Sequence, residues 1–73
     1  MGAETLEFVF FCIEEVAREL GLTGNEVYDL LTQKSGILFQ YIVPAYDVLH
    51  TQGREAIVED IVSLMHKEGV LPS

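Results

Sequence analysis

Basic residues are scarce in this 73-residue chain: four lysines and arginines stand against twelve aspartates and glutamates, for a net charge of −8 and an isoelectric point near 4.4. Arg18, Lys34, Arg54 and Lys67 are scattered along the sequence, so no basic stripe can be built from them. Nucleic-acid affinity rests on cations that displace counterions from phosphates, which excludes nucleic acid as a partner class. An anionic membrane surface is repelled for the same reason. Cysteine is nearly absent as well. Cys12 alone permits neither an intrachain disulfide nor a cysteine-based zinc site, and inside an apolar run it reads as an inert, buried thiol in a reducing cytoplasm. The longest apolar run, Phe8 to Ile13, is six residues, against the roughly 20 that span a bilayer. No basic segment leads into an apolar stretch and a small-residue cleavage site, so no secretory signal is expected. His50 and His66 have no acidic ligand pattern around them, and there is no glycine-rich phosphate loop. Neither a metal nor a cofactor is expected.

What the chain does contain is apolar content and helical periodicity. Hydrophobic residues make up 49% of the sequence and charged residues 22%, values of a folded globular chain, and the length allows one domain. Leu6, Val9, Phe10, Ile13, Val16, Ala17 and Leu20 recur at the three-and-four spacing of one helical face. They predict a first helix over 4–20, stopped by Gly21. Phe10 is then a core residue, while Phe8 and Phe11 fall outside the seam and form leftover apolar surface. Thr23-Gly24-Asn25-Glu26 has the form of a capping box and opens a second helix over 24–34, with Val27, Leu30 and Leu31 inward. A third helix is expected over 38–50, where Phe39, Ile42, Val43, Tyr46, Leu49 and His50 keep helical spacing through Pro44. Pro44 either kinks that helix or breaks it and opens a new one; the unbroken periodicity favours the kink. Thr51 is placed to cap the last helix, over 53–67, with Gly53 permitting a tight corner. Ile57, Val58, Ile61, Val62, Leu64 and Met65 form its inner face. Gly69 ends it and Pro72 lies beyond. The expectation is an all-α fold, a compact bundle of four helices in a single domain over 1–73. A core this small is marginal alone, which an interface would relieve.

Few residues carry chemistry. Tyr46, Asp47, His50 and Thr51 are the only cluster with any; a Tyr–His or Asp–His pair one turn apart can in principle move protons. No second acid, no nucleophile with a base and no phosphate loop accompanies them, so no catalytic residue is expected. A structural role accounts for each: His50 near a helix C-terminus beside Asp47, Thr51 as a cap. If His50 packs against Asp47, its removal is expected to cost about 1–2 kcal/mol. Tyr28 and Tyr41 read as ordinary rim tyrosines. A helix–turn–helix reading fails because the segment from Gly36 to Tyr46 offers DNA no arginine or lysine, and Ser35 and Ser63 lack the setting of an acyl-carrier attachment serine.

The corner Tyr46-Asp47-Val48-Leu49-His50-Thr51-Gln52-Gly53, together with Phe11-Cys12-Ile13-Glu14 and Gly24-Asn25-Glu26-Val27-Tyr28, resembles a family of small bacterial proteins catalogued as domain of unknown function 3791, from about Glu7 to Glu68. The Tyr-Asp-x-Leu-His-Thr-x-Gly segment carries most of the specificity. Pro44 stands just ahead of it, where a helix-compatible residue is equally expected. The resemblance implies a short helical protein, and the neighbourhood of some members, beside a domain that looks like an ADP-ribosyltransferase toxin, implies an antitoxin or immunity role. The leading expectation is therefore a non-enzymatic cytoplasmic module that binds a protein partner, most concretely a basic toxin enzyme, through Phe8, Phe11, Tyr46, His50, Thr51 and Gly53. The alternative is a structural homo-oligomer, such as a homodimer, without a toxin partner. A third is an enzyme using Tyr46 and His50.

Overall fold

The computed structural model describes residues 1–71, all-helical with no strand among them. Pro72 lies outside the described residues. Helix α1 runs Ala3–Leu20, α2 Gly24–Thr32, α3 Tyr46–Leu49 and α4 Arg54–Lys67, with a π-helical segment Leu38–Ile42 between α2 and α3. The long α1 packs against both α2 and α4, and the π segment rests on α2. Three of the four expected helices stand within two residues of their expected bounds. The third does not.

The caps explain the agreement. Gly21 adopts φ 69°, a left-handed conformation that costs glycine little, and the Leu22 N–H closes on the Ala17 carbonyl at 2.9 Å. Thr23 Oγ1 accepts from the Glu26 N–H at 3.1 Å while the Thr23 N–H donates to Glu26 Oε1 at 2.9 Å, so the capping box is complete. Gly69, at φ 76°, follows α4, and the Val70 N–H reaches the Met65 carbonyl at 3.1 Å.

The third helix, expected over 38–50 with a kink favoured over a break at Pro44, is divided into two pieces, Leu38–Ile42 and Tyr46–Leu49. Upstream of Pro44 the Val43 N–H reaches back five residues to Leu38 at 3.0 Å, and the ordinary four-residue bond resumes with Ala45 N–H to Tyr41 at 3.0 Å. Pro44 has no amide for the carbonyl of Phe39 or Gln40; both residues are exposed, so water reaches them. Widening the preceding turn makes room for the proline ring, and a turn over 43–45 precedes the short α3. Phe39, which opens the periodic series, is 58% exposed, while its neighbour Leu38 is buried.

The largest correction concerns α1. Its buried row is Phe8, Val9, Cys12, Ile13, Glu15, Val16 and Ala17, while Leu6 and Phe10 are 45% and 57% exposed. Phe10 is therefore surface and Phe8 core, the reverse of the expectation. The physical reason is Glu15. Its carboxylate is buried but paired, so a charged residue lies on the inner face and disguises it as an outer one.

Cys12 has no exposed surface, and burial pushes its thiol up to about 12. Only thiolate reacts appreciably. Native protein at pH 8 is expected to resist a maleimide or disulfide reagent, while denaturant-unfolded chain labels fully within minutes. Rapid stoichiometric labelling of native protein, read by mass spectrometry, would contradict this burial.

Candidate functional site

Phe8, Phe11, Tyr46 and His50 are brought together as one aromatic row that joins α1 to α3. Phe8 and Phe11, three residues apart on α1, stack with ring centroids 6.3 Å apart. The Tyr46 ring meets Phe8 edge to face at 5.4 Å and 72°, the favoured arrangement for ring quadrupoles. His50 lies face to face on Tyr46 at 4.4 Å and 12°, one helical turn further on. Phe8 is the buried member of this row, between Phe11 and Tyr46, while the two ends, Phe11 at 38% exposed and His50, are exposed. The row is thus anchored in the core and reaches solvent at both ends.

Polar groups of the corner are occupied in closing α3. His50 Nδ1 lies 2.7 Å from the Tyr46 carbonyl oxygen; since a carbonyl only accepts, Nδ1 carries the hydrogen and donates it. Thr51 Oγ1 donates to the Val48 carbonyl at 2.7 Å. Each side chain adds a second donor to a carbonyl that the backbone also bonds, His50 N–H to Tyr46 at 2.9 Å and Thr51 N–H to Val48 at 3.4 Å. These bonds correct two expectations. Thr51 caps the end of α3, and α4 starts at Arg54, behind Gly53, without a side-chain cap. His50 is held by the Tyr46 backbone and ring, so the expected cost of breaking an Asp47 contact has no such contact to act on. Gly53 has φ −71° and ψ 160°, with open space where a Cβ would stand, so the corner does not require glycine there.

Burial raises the Tyr46 phenol above its ordinary value, and the Glu4 charge and hydrogen bond, then Asp47 and Glu7, push it the same way. The phenol stays protonated at neutral pH, and its contact with His50 is ring on ring. That arrangement suits packing and surface recognition better than proton transfer.

Two polar ties fix α4. Arg54 Nε donates to Glu15 Oε1, and Arg18 approaches Glu15 Oε2 at 3.6 Å. The Tyr41 hydroxyl donates to Asp60 Oδ2, which with burial and the Asp60 charge raises the Tyr41 phenol. Neither pair was singled out from sequence. The signal for Glu15 was available: it lies three residues after Cys12 and seven after Phe8, on the same helical row, and Arg54 opens a helix that must face α1.

The Arg54 hydrogen bond holds the Glu15 carboxyl below its usual value; burial opposes this, and the Arg18 and Arg54 charges assist it. A carboxylate with a depressed folded value stabilises the fold above its unfolded pKa, here 4.5, and loses that contribution as pH falls through the lower folded value. Glu15→Gln is expected to melt below wild type at pH 7, and the gap should narrow as pH falls below 4.5 and through the lower folded value. Thermal melts at half-unit pH steps measure this. A constant gap would show that the charge of Glu15 contributes nothing.

Among the described residues no group of three His, Cys, Asp or Glu side chains is placed to hold a metal ion, and no helix is long and apolar enough to cross a membrane. No curated protein and no solved structure matches the chain. A family match does extend over residues 7–68, from the first half of α1 through the corner to the end of α4, and the chain belongs to that family, described as protein of unknown function (DUF3791).

Proposed function

We propose that this chain is a non-enzymatic module that binds a basic protein partner through the outer face of α1 and the aromatic row beside it. The observation that carries the reading is the exposure of Leu6, Phe10 and Phe11 at 45%, 57% and 38%. Leu6 and Phe10 are one turn apart and so adjoin on the helix surface. Scattered surface apolar residues are normal, but grouped phenylalanines on a small domain mark an interaction surface. Glu7 and Glu14 lie between Phe10 and Phe11 on the same exposed face, so an apolar surface interleaved with carboxylates favours a partner presenting apolar residues among cations.

Charge separates this reading from the homo-oligomeric scaffold. A second copy brings another −8 and would set carboxylate rows against each other, whereas a basic partner gains from the same field. The most concrete form is a cytoplasmic antitoxin that occludes the basic groove of a toxin enzyme of the ADP-ribosyltransferase kind, as the family resemblance implies. Co-production with the product of an adjacent gene tests it. The expected result is protection of the cells and a stoichiometric complex; absence of both protection and complex would remove the antitoxin role.

A further inference from the structure

We propose that the open groove between the C-terminal end of α1 and the outer face of α4 seats a basic amphipathic helix of the partner, its cations over Glu55 and Glu59. The inference rests on the reading of the chain as a binding module and supplies the chemistry of what it binds. The groove has a volume of about 590 Å³. Its apolar floor is Val58, 4% exposed, with half-buried Val62. Its rim carries Glu19 from α1 and Glu55 and Glu59 from α4. A neighbouring groove of about 440 Å³ shares Glu59, which places that carboxylate between the two.

The intrachain charges offset this rim only in part: Arg54 acts on Glu19 and Glu55 as well as on Glu15, and His66 stands at the same groove as the three carboxylates. Arg54, the one arginine or lysine at the groove, is tied to Glu15, and Arg18 approaches the same carboxylate. No other salt bridge forms among the described residues. An anionic ligand is repelled, and a neutral apolar segment would desolvate the rim carboxylates without giving them a partner, which is costly. A second copy has the wrong sign. A helix with apolar residues on the floor and lysine or arginine four residues apart meets both demands. Glu55 and Glu59 are themselves four apart, about 6 Å along the axis, so the cation spacing of such a helix matches theirs.

The test is a titration of the full chain with a labelled synthetic helical peptide bearing a leucine face and lysines at four-residue spacing, followed by anisotropy. The peptide is expected to bind and to weaken as salt is raised. A charge-reversed peptide with glutamates for the lysines should not bind. Glu55→Gln with Glu59→Gln should weaken binding at least tenfold. Asp29→Asn with Glu68→Gln removes the same charge outside both the groove and the α1 face and should change it less than twofold. All four carboxylates are exposed, and circular dichroism confirms that the variants fold. Equal weakening by both pairs, or no preference for the lysine peptide, would overturn the proposal. Capture of a native partner equally by wild type and by the Glu55/Glu59 variant would overturn the groove assignment alone, leaving the binding function in place.

Discussion

Replacing Phe10 and Phe11 together by alanine is expected to weaken partner binding by at least about 100-fold while leaving the helical fold intact. Buried aromatic anchors at interfaces typically contribute 2 kcal/mol or more each when truncated, and each 1.4 kcal/mol is tenfold in affinity. Alanine is the best helix former, so α1 is not weakened by propensity. Phe10 is 57% exposed, and its removal costs the isolated chain little. Phe11 loses its stack on Phe8, a contact of about 0.5–1.5 kcal/mol. Binding titration beside thermal melting separates the two effects. A variant that binds as wild type would show that the α1 face is ordinary surface; one that fails to fold would show that these rings belong to the core.

Leu49→Ala is expected to cost about 2–5 kcal/mol, a large part of the stability of a domain this small. Leu49 is 2% exposed and is the one buried residue of α3. Four residues cannot hold a helix by themselves; α3 persists because Leu49 is inserted into the core and His50 and Thr51 close its carbonyls. With alanine there the corner loses its anchor, and Tyr46, with His50 stacked on it, is released from Phe8. Val48→Ala next door, 63% exposed in wild type, should cost no more than about 0.5 kcal/mol. Urea denaturation of both variants checks the contrast. Equal midpoints would mean that the corner is not anchored through Leu49.

The parts of this fold that were legible in the sequence are those where local chemistry decides. Gly21, the Thr23/Glu26 box and Gly69 mark helix ends through bonds spanning five residues or fewer, and these stand where expected. The break at Pro44 was legible only as a choice. Leu38, Ile42 and Leu49 keep helical spacing whether the chain runs straight or widens by a π turn and restarts, so periodicity favours a kink where the backbone divides. The face of α1 was misread because the run from Phe8 to Ile13 offers apolar residues all round the helix. The deciding residue, Glu15, looks like surface until Arg54, far along the chain, is seen beside it. The candidate site shows the same division. Tyr46 and His50 were selected together and Phe8 apart from them, and packing joins the three; Thr51 and His50 act on backbone carbonyls that no spacing rule displays.

The direct test of the binding role is the mass, by light scattering, of the tagged protein isolated from its own cells at physiological salt. The account predicts a complex of this chain with a different, basic protein, dissociating when Phe10 and Phe11 are alanine. A lone monomer, or a dimer of this chain that survives those substitutions, would contradict it.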